Sequence, residues 1–414
     1  MKKVLSLVLS LALACGVLVG LTACGGNDDN GNTVKVGLIT LHDEQSTYDL
    51  NFIKAFEDAC KAQKVEYVIK RHIPEGNEAY EAAADLVDQG CNLIFADSFG
   101  HGPFILQAAK EFPNVQFCHA TGNFAHKEKL ANFHNGFGDI YEGRFLGGIV
   151  AGEKIKELVA ADASKVTTVK DTNEKYVKIG YVGAYTYAEV ISGYTSFYLG
   201  VKYALKGQNY GVKMDVSFTG SWYDELAERT TAETLIEKQG AILISQHADS
   251  MGAPTACETA GVPNVSYNGS TEAACPNTFL VSSRINWQPY YEYAIESVKN
   301  GTAIAYDWTA GFGSTYKEGT VCLTDFGAAA AEGTATAVQT AFEALKAGTL
   351  KVFDVSTFTV DGEPVTSKLV ENVEVIKTVN NITYFDESNA SLMVAPYFDL
   401  RIDGITLLNQ EYGD

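Results

Sequence analysis

Two successive series of alternating strands and helices constrain the fold of this chain more than any other feature. Short apolar segments, beginning with Val34–Thr40, alternate with longer segments whose apolar residues recur at helical spacing. The first series covers residues 34–160, and the second begins near residue 175 after the polar stretch Asp162–Lys175. Such alternation predicts parallel sheets covered by helices. We therefore expect an α/β fold with two doubly wound parallel-sheet lobes.

Chain length supports the same division. The sequence has 414 residues, which is more than one hydrophobic core usually contains. We predict an N-terminal lobe of residues 34–160 plus about 278–310, and a C-terminal lobe of residues 175–277 plus about 311–414. A helix is predicted over the alanine-rich segment Ala328–Leu345. Residues 379–414 look extended and irregular, and the pattern assigns them no role.

The first residues predict export and a membrane anchor. Lys2 and Lys3 precede a short apolar run that ends near Leu21-Thr22-Ala23-Cys24, and a Gly- and Asn-rich stretch follows. This order is typical of a secretory signal, and its last four residues resemble a bacterial lipobox. We expect residues 1–23 to be removed, Cys24 to carry lipid and residues 24–33 to form a flexible tether. The alternative is a plain signal peptide with an incidental cysteine.

The net charge limits the classes of partner that the chain can bind, and the cysteine spacing limits the kinds of site that it can form. The formal net charge of −20 disfavours nucleic acid and anionic lipid headgroups as partners. No cysteine pair has the CxxC spacing of a redox or zinc site. Cys60, Cys91 and Cys118 lie beside apolar positions, which favours buried thiols. A disulfide between Cys257 and Cys275 is conceivable after export, although we favour free thiols.

Polar and aromatic side chains follow nearly every predicted strand. Ligands bind open parallel sheets outside the carboxyl ends of the strands, so these residues are candidates for a binding site. Aromatic rings can sandwich a flat ligand while carboxylates and amides read its edge. Taken singly, such residues are as readily explained as turn and capping residues. The candidates in these loops are Tyr48, Asp49, Asn51, Ser98, Phe99, Thr121, Trp222, Asp249, Asn268, Asn286 and Trp287.

Catalytic and cofactor motifs are missing or incomplete. Gly136-Phe137-Gly138 begins like a dinucleotide fingerprint, but Tyr141 stands where the third glycine belongs. His42, His119 and His247 follow strands and could converge on a metal, although hydrogen bonding in a polar cleft is the commoner outcome. We therefore expect no cofactor, no metal and no enzyme activity. A hydrolase using Asp43, Glu44 or His247 remains the alternative from another functional class.

Several segments together resemble the basic membrane protein (BMP) family of substrate-binding lipoproteins, which serve ABC importers of purines and nucleosides. No segment is decisive alone, but their order and spacing over residues 34–320 are specific. They include Val36-Gly37-Leu38-Ile39, Ser46–Phe52, Phe95–Gly100, Asn135-Gly136-Phe137, Glu142–Gly148, Ile179–Gly183, Val190–Gly193, Ser245–Ser250 and Asn286–Tyr291. The resemblance implies the type I periplasmic-binding-protein fold, in which crossing strands join two lobes that close over the ligand.

The resemblance also implies roles for particular residues. Tyr48 occupies the place of an aromatic that faces one side of the base, with Asp49 and Asn51 beside it, and Tyr194 best matches the second aromatic. Two departures from the family pattern weaken the case for ribose. Asn268 stands where many nucleoside-binding members have an aspartate, and Asn286 stands where they have a lysine. These departures shift the expectation toward purine-base binders, with Trp222, Asp249 and Trp287 in the pocket.

These observations lead to one expected function and its alternatives. We expect a monomeric, lipid-anchored receptor on the extracytoplasmic face of the cell membrane. It would capture a purine base or nucleoside and deliver it to an ABC permease. The same fold could instead bind a sugar or a signalling molecule. The sequence does not choose between base and nucleoside.

Overall fold

The computed structural model describes residues 33–410. The predicted signal peptide, Cys24, nearly all of the tether and the last four residues lie outside this range. The first part of the described chain contains β1 (Lys35–Ile39), α1 (Thr47–Gln63), β2 (Glu66–Lys70), α2 (Asn77–Asp88), β3 (Leu93–Ala96), α3 (Gly102–Glu111), β4 (Gln116–Ala120), α4 (Phe124–Glu128), β5 (Phe133–Gly138) and α5 (Ile140–Ala161).

The second series of strands and helices follows the first with only a short connection. It contains β6 (Thr167–Thr168), β7 (Lys175–Gly183), α6 (Ala188–Ala204), β8 (Gly211–Phe218), α7 (Glu225–Glu237), β9 (Ile244–Gln246), α8 (Gly252–Ala260), β10 (Asn264–Tyr267), β11 (Phe279–Ile285) and α9 (Gln288–Asn300). The remaining elements are β12 (Asp307–Ala310), β13 (Val321–Leu323), α10 (Thr334–Lys346), β14 (Leu369–Val370), β15 (Val373–Glu374), β16 (Ile376–Val379), β17 (Ile382–Phe385) and β18 (Ile405–Leu407).

Two sheets organise these elements, as the sequence predicts. The first sheet has the strand order β12-β5-β4-β3-β1-β2, and all of its neighbouring strands are parallel. The second has the order β13-β11-β10-β9-β7-β8-β18, with β13 antiparallel to β11 and with β6 paired to β7. Helices join the parallel strands, so the predicted α/β class with parallel sheets is confirmed.

The chain changes lobe at positions that differ from two of the predicted boundaries. It leaves the first sheet at the end of β5, because α5 packs along α6 and against β11 of the second lobe. Gly148 of α5 and Gly200 of α6 allow the two helices to pack closely. A Cβ added to Gly148 would lie 2.1 Å from the carbonyl oxygen of Phe197. Strand β11 also belongs to the second sheet, whereas α9 returns to pack on α1 and leads to β12 in the first. The crossings therefore lie near residues 139, 286 and 311–320 rather than near residues 160 and 278.

Most predicted elements are present, with small shifts at their ends. Helix α1 begins at Thr47 because the Ser46 hydroxyl caps it by accepting a hydrogen bond from the Asp49 amide at 3.2 Å. Helix α2 begins at Asn77, and Gly76 holds its cap position. Strand β5 was not predicted, because Asn and Gly are uncommon in strands. All six of its residues are nevertheless buried.

The C-terminal segment that the sequence left unassigned packs onto the second lobe. The rings of Phe353 and Phe398 stack with their centroids 4.2 Å apart, and Phe385 joins them. Strand β18 extends the second sheet by pairing in parallel with β8. This segment therefore belongs to the second lobe.

The described cysteines and helices add two further observations. The six cysteines between residues 33 and 410 are free and buried, as predicted for Cys60, Cys91 and Cys118, and Cys257 and Cys275 are not joined. Within the same range, no helix combines the length and the apolarity that crossing a bilayer requires.

Candidate functional site

A cavity of about 380 Å³ lies where the carboxyl ends of strands from both sheets face each other. The loops after β1, β3 and β4 line it from the first lobe. The start of α6, the loops after β8 and β9 and the end of β10 line it from the second, and residues between 369 and 399 line a further side. The lining residues are Leu41, His42, Tyr48, Asp49, Ser98, Phe99, Thr121, Asn123, Tyr187, Ala188, Glu189, Trp222, His247, Asp249, Tyr267, Leu369, Val370, Met393, Ala395, Pro396, Tyr397 and Asp399.

Aromatic rings from both lobes face this cavity. Tyr48, in the first turn of α1, donates a hydrogen bond from its hydroxyl to the carbonyl of Asp97 at 2.7 Å, which fixes the direction of its ring. Phe99 of the first lobe lies with its ring centroid 5.0 Å from that of Tyr187 of the second. Trp222 continues this aromatic surface beside Tyr187, at 6.0 Å. A planar ligand in the cavity would therefore contact aromatic surface that both lobes supply.

On the first-lobe side, Asp49 supplies a buried carboxylate. Burial alone would raise the pKa of Asp49, but hydrogen bonds from His42 and Ser46 outweigh it and lower the pKa overall. The His42 amide donates to Asp49 at 2.7 Å, and the His42 ring nitrogen lies 3.4 Å from the other carboxylate oxygen. Because these contacts stabilise the ionised form, Asp49 is an anionic hydrogen-bond acceptor at the edge of the cavity.

Asp249, on the second-lobe side of the cavity, differs from Asp49 in the direction of its pKa shift. Burial, reinforced by the nearby carboxylates of Glu228 and Asp49, raises the pKa of Asp249 well above its usual range. The Asn268 amide donates a hydrogen bond to the Asp249 carboxyl at 3.2 Å. A raised pKa favours the protonated carboxyl, and a protonated carboxyl can donate as well as accept hydrogen bonds.

A hydrogen-bonded network centred on a buried arginine supports the same wall. Arg144 of α5 is 2% exposed, and its guanidinium lies 4.0 Å from the centre of the Tyr267 ring. Its Nη2 donates to the Gln246 carbonyl at 3.0 Å and to His247 Nδ1 at 3.2 Å. The other His247 nitrogen lies 2.6 Å from Glu189 Oε2.

These contacts determine the state of the histidine. Because Arg144 can only donate, His247 Nδ1 must accept, and the proton lies on Nε2, which donates to Glu189. Burial lowers the pKa of His247 although Glu189 opposes the shift, in agreement with a neutral ring. Glu189, whose other oxygen accepts from the Tyr267 hydroxyl at 3.3 Å, thus presents an oriented carboxylate to the cavity.

The structure brings together most of the residues that the sequence nominated. The predicted residues that line the cavity are Tyr48, Asp49, Ser98, Phe99, Thr121, Trp222 and Asp249. Asn268 lies behind this surface and positions Asp249. Sequence reasoning missed Arg144 and Glu189 as site residues, although Arg144 stood within a segment that carried the family resemblance.

Four nominated residues lie outside the cavity wall. Trp287 is 1% exposed and stacks on Phe52 with ring centroids 4.2 Å apart, in the core of the first lobe. Asn286 donates to the carbonyl of Gly319 at 3.3 Å. The two remaining residues are Asn51, which donates to the Ile285 carbonyl, and Tyr194, which is buried against Arg401. Asn51, Asn286 and Trp287 hold the segments that cross between the lobes.

Of the residues considered for hydrolysis, His247 lines the cavity and pairs with Glu189, whereas Asp43 and Glu44 do not line it. Glu44 pairs with Arg71 at 2.7 Å and Asp43 with His72 at 3.3 Å, on the protein surface. His119 is buried with its Nε2 2.7 Å from the Ser98 carbonyl and does not line the cavity. Throughout residues 33–410, no three or more His, Cys, Asp or Glu side chains are grouped so that they could hold a metal ion.

Comparisons with known proteins agree with this architecture. The chain is 29% identical over 239 residues to a purine-binding protein of Brucella abortus, covering 58% of this chain and 60% of that protein. It is 26% identical over 289 residues to a provisionally named ABC transporter glucose-binding protein of Haloferax volcanii, covering 68% of this chain and 65% of that one. The matches thus span less than two-thirds of each relative.

A solved structure and a family pattern complete the comparison. An ABC transporter solute-binding protein from Conexibacter woesei superposes with a TM-score of 0.55 at 21% identity, covering 77% of this chain and 98% of the other. Its likeness concerns the fold. Residues 39–326, which are more than half of the chain, match the sequence pattern of the Bmp family. The protein therefore belongs to the Bmp family of PnrA-like ABC transporter substrate-binding proteins.

Proposed function

We propose that this protein captures a purine base or nucleoside between its lobes and delivers it, unaltered, to an ABC permease. One observation carries the proposal: aromatic rings and carboxyl groups from both lobes converge on a single cavity of about 380 Å³. Pockets of this size bind small organic ligands. A purine offers the matching shape, because its faces are apolar and its edge carries donors and acceptors.

The energetics of such a complex are favourable. Stacking on an aromatic side chain contributes roughly 1–3 kcal/mol per base, and Tyr48 and Trp222 come from opposite lobes. The carboxylates of Asp49 and Glu189 can accept hydrogen bonds from ring N–H or exocyclic amino groups. A ligand with such donors would gain hydrogen bonds to charged groups that an apolar ligand cannot form, at about 1.5–3 kcal/mol each. The site would thereby discriminate among flat ligands.

The proposal includes the anchored location that the first residues predict. Lipid on Cys24 would hold the protein at the extracytoplasmic face of the membrane, near its permease. Closure of the lobes over ligand would form the surface that the permease recognises, and a monomer suffices for this role. Labelling cells with a radioactive fatty acid tests the anchor, because a Cys24→Ala variant should lose the label.

A second candidate ligand is a sugar. Tryptophan and tyrosine rings beside carboxylates also suit sugars, and one relative is provisionally named a glucose-binding protein. Mass spectrometry of the small molecules released from freshly purified protein separates the two candidates. Recovery of a purine or nucleoside supports the proposal, whereas recovery of a sugar alone contradicts it.

A thermal-shift screen tests the proposed ligand class directly. Purines and nucleosides should raise the melting temperature, because a ligand that binds only the folded state stabilises it. Failure of the whole class would rule out the assignment. Nucleosides incubated with the protein should be recovered intact, and release of free base would instead indicate a hydrolase.

A further inference from the structure

Residues between 369 and 399, in the C-terminal part of the chain, supply one wall of the ligand cavity. This wall, which we call the C-terminal wall, lies beyond residue 326, where the match to the family pattern ends. It comes from the strand β14 and from the stretch of residues 393–399. Its cavity-lining members are Leu369, Val370, Met393, Ala395, Pro396, Tyr397 and Asp399.

The C-terminal wall presents hydrocarbon to the cavity. Five of its members are apolar, and its two polar side chains are already engaged elsewhere. The Tyr397 hydroxyl donates to the Asp386 carbonyl at 2.5 Å and accepts from the Asn389 amide at 2.9 Å. The Asp399 carboxylate pairs with Lys368 at 2.7 Å. The lining residues Glu189, His247 and Asp249 differ, because their side chains are charged or polar.

The central part of the C-terminal wall is fixed rather than loosely attached. Tyr397 is 5% exposed, and the adjacent Phe398 is fully buried and stacks on Phe353 in the second-lobe core. Val394 packs in the other direction, against the core of the first lobe. The wall is therefore held by both lobes, and it cannot move aside for a bulky ligand without loss of core packing.

We propose that the C-terminal wall makes this site selective for an unglycosylated heteroaromatic base over its nucleoside and over sugars. The inference rests on the proposed function and specifies its ligand. A base can turn a hydrocarbon face to the wall and its polar edge to Glu189 and Asp249. A sugar carries hydroxyls around its ring. Each hydroxyl pressed against the wall would lose its hydrogen bonds to water, at a cost of about tenfold in affinity.

Calorimetry on the full chain, freed of bound ligand, tests this inference. Adenine, guanine and hypoxanthine are compared with their ribonucleosides and with glucose. In the unmodified protein, at least one base should bind about tenfold or more tightly than its nucleoside. The Met393→Ala variant removes part of the wall and should reduce this ratio at least about threefold. Met393→Gln, which keeps the length but adds a polar group, should also reduce it.

A matched control lies in the same segment. Leu400 is apolar and packs against the second-lobe core, but it does not line the cavity. Leu400→Ala should therefore leave the ratio unchanged. Equal affinities for base and nucleoside in the unmodified protein would overturn the inference and leave the proposed function standing. A ratio unaffected by both Met393 variants would also overturn it, whereas failure of both ligand classes to bind would remove the proposed function itself.

Discussion

The backbone amide of Thr47 donates a hydrogen bond to the carbonyl of Asp249 at 3.0 Å, and the Thr47 hydroxyl donates to the same oxygen at 3.2 Å. Thr47 begins α1 in the first lobe, whereas Asp249 follows β9 in the second. Both residues are buried, and Asp249 lines the cavity. Two residues about 200 positions apart therefore join the lobes directly beside the proposed ligand.

Removal of the Thr47 hydroxyl should weaken closure. Thr47→Val keeps the shape of the side chain but loses one interlobe hydrogen bond, whose net contribution is about 1 kcal/mol. We expect ligand affinity to fall about fivefold, mainly through faster dissociation, measured by stopped-flow fluorescence. Thr47→Ser retains the hydroxyl and should remain close to the unmodified protein. Equal affinities for both variants would contradict a role for this contact in closure.

Tyr48 should contribute to binding mainly through its ring. Tyr48→Ala removes the aromatic surface from the cavity, and we expect affinity to fall tenfold or more, which corresponds to about 1.4 kcal/mol. Tyr48→Phe keeps the ring and loses only the hydrogen bond to the Asp97 carbonyl. It should cost less than Tyr48→Ala in the same titration. Unchanged affinity in Tyr48→Ala would remove this residue from the site.

Glu189 tests the part of the site that sequence reasoning missed. Glu189→Gln removes the negative charge next to His247 and replaces one of the two acceptor oxygens with a donor amide. We expect a loss of affinity of about tenfold or more, because this carboxylate is oriented toward the cavity. The matched control is Glu225→Gln, since Glu225 pairs with Arg229 on the surface. Comparable effects of the two substitutions would argue against a specific role.

Trp287 should affect stability more than ligand binding. Its ring is buried against Phe52, away from the cavity wall. Trp287→Phe leaves unfilled volume in the core, and we expect it to reduce the free energy of unfolding by roughly 1–3 kcal/mol. Below the lowered melting temperature, affinity should stay within about threefold of the original. A tenfold loss of affinity in a fully folded variant would restore the sequence-based assignment of Trp287 to the site.

Buried glutamates make stability depend on pH. Burial raises the pKa of Glu387 to about 8, and those of Glu142 and Glu228 to about 7. In the unfolded chain these groups ionise near 4.5, so between that pH and about 8 the folded state holds more protons than the unfolded state. Stability should therefore fall as pH rises through this window.

Glu387→Gln isolates one of these groups. The amide cannot ionise, so the variant should lose part of the fall in melting temperature between pH values of about 5 and 8.5. At the higher pH it should be more stable than the unmodified protein by at least about 1 kcal/mol. The exposed Glu332 provides the control, since Glu332→Gln should leave the pH profile unchanged. A Glu387→Gln profile parallel to that of the unmodified protein would show that this carboxyl is already ionised in the folded state.

The sequence by itself determined the α/β class, most of the strands and helices before residue 300, and seven residues of the cavity wall. These features depend on local patterns, because apolar periodicity specifies an element and the residues after a parallel strand must emerge at one edge of a sheet. Strand β5 was not predicted, because its Asn and Gly residues are uncommon in strands, although all of its residues are buried.

Only the tertiary structure decided which way the remaining side chains face. Trp287 follows a strand as Trp222 does, yet packing beside Phe52 turns it into the core. Arg144 lies on an apolar helix, and only the meeting of α5 with the second sheet places its charge behind His247. The C-terminal wall depends on contacts between residues that are far apart along the chain. Local periodicity does not predict such contacts, and for this reason the shape of the cavity could not be inferred from the sequence.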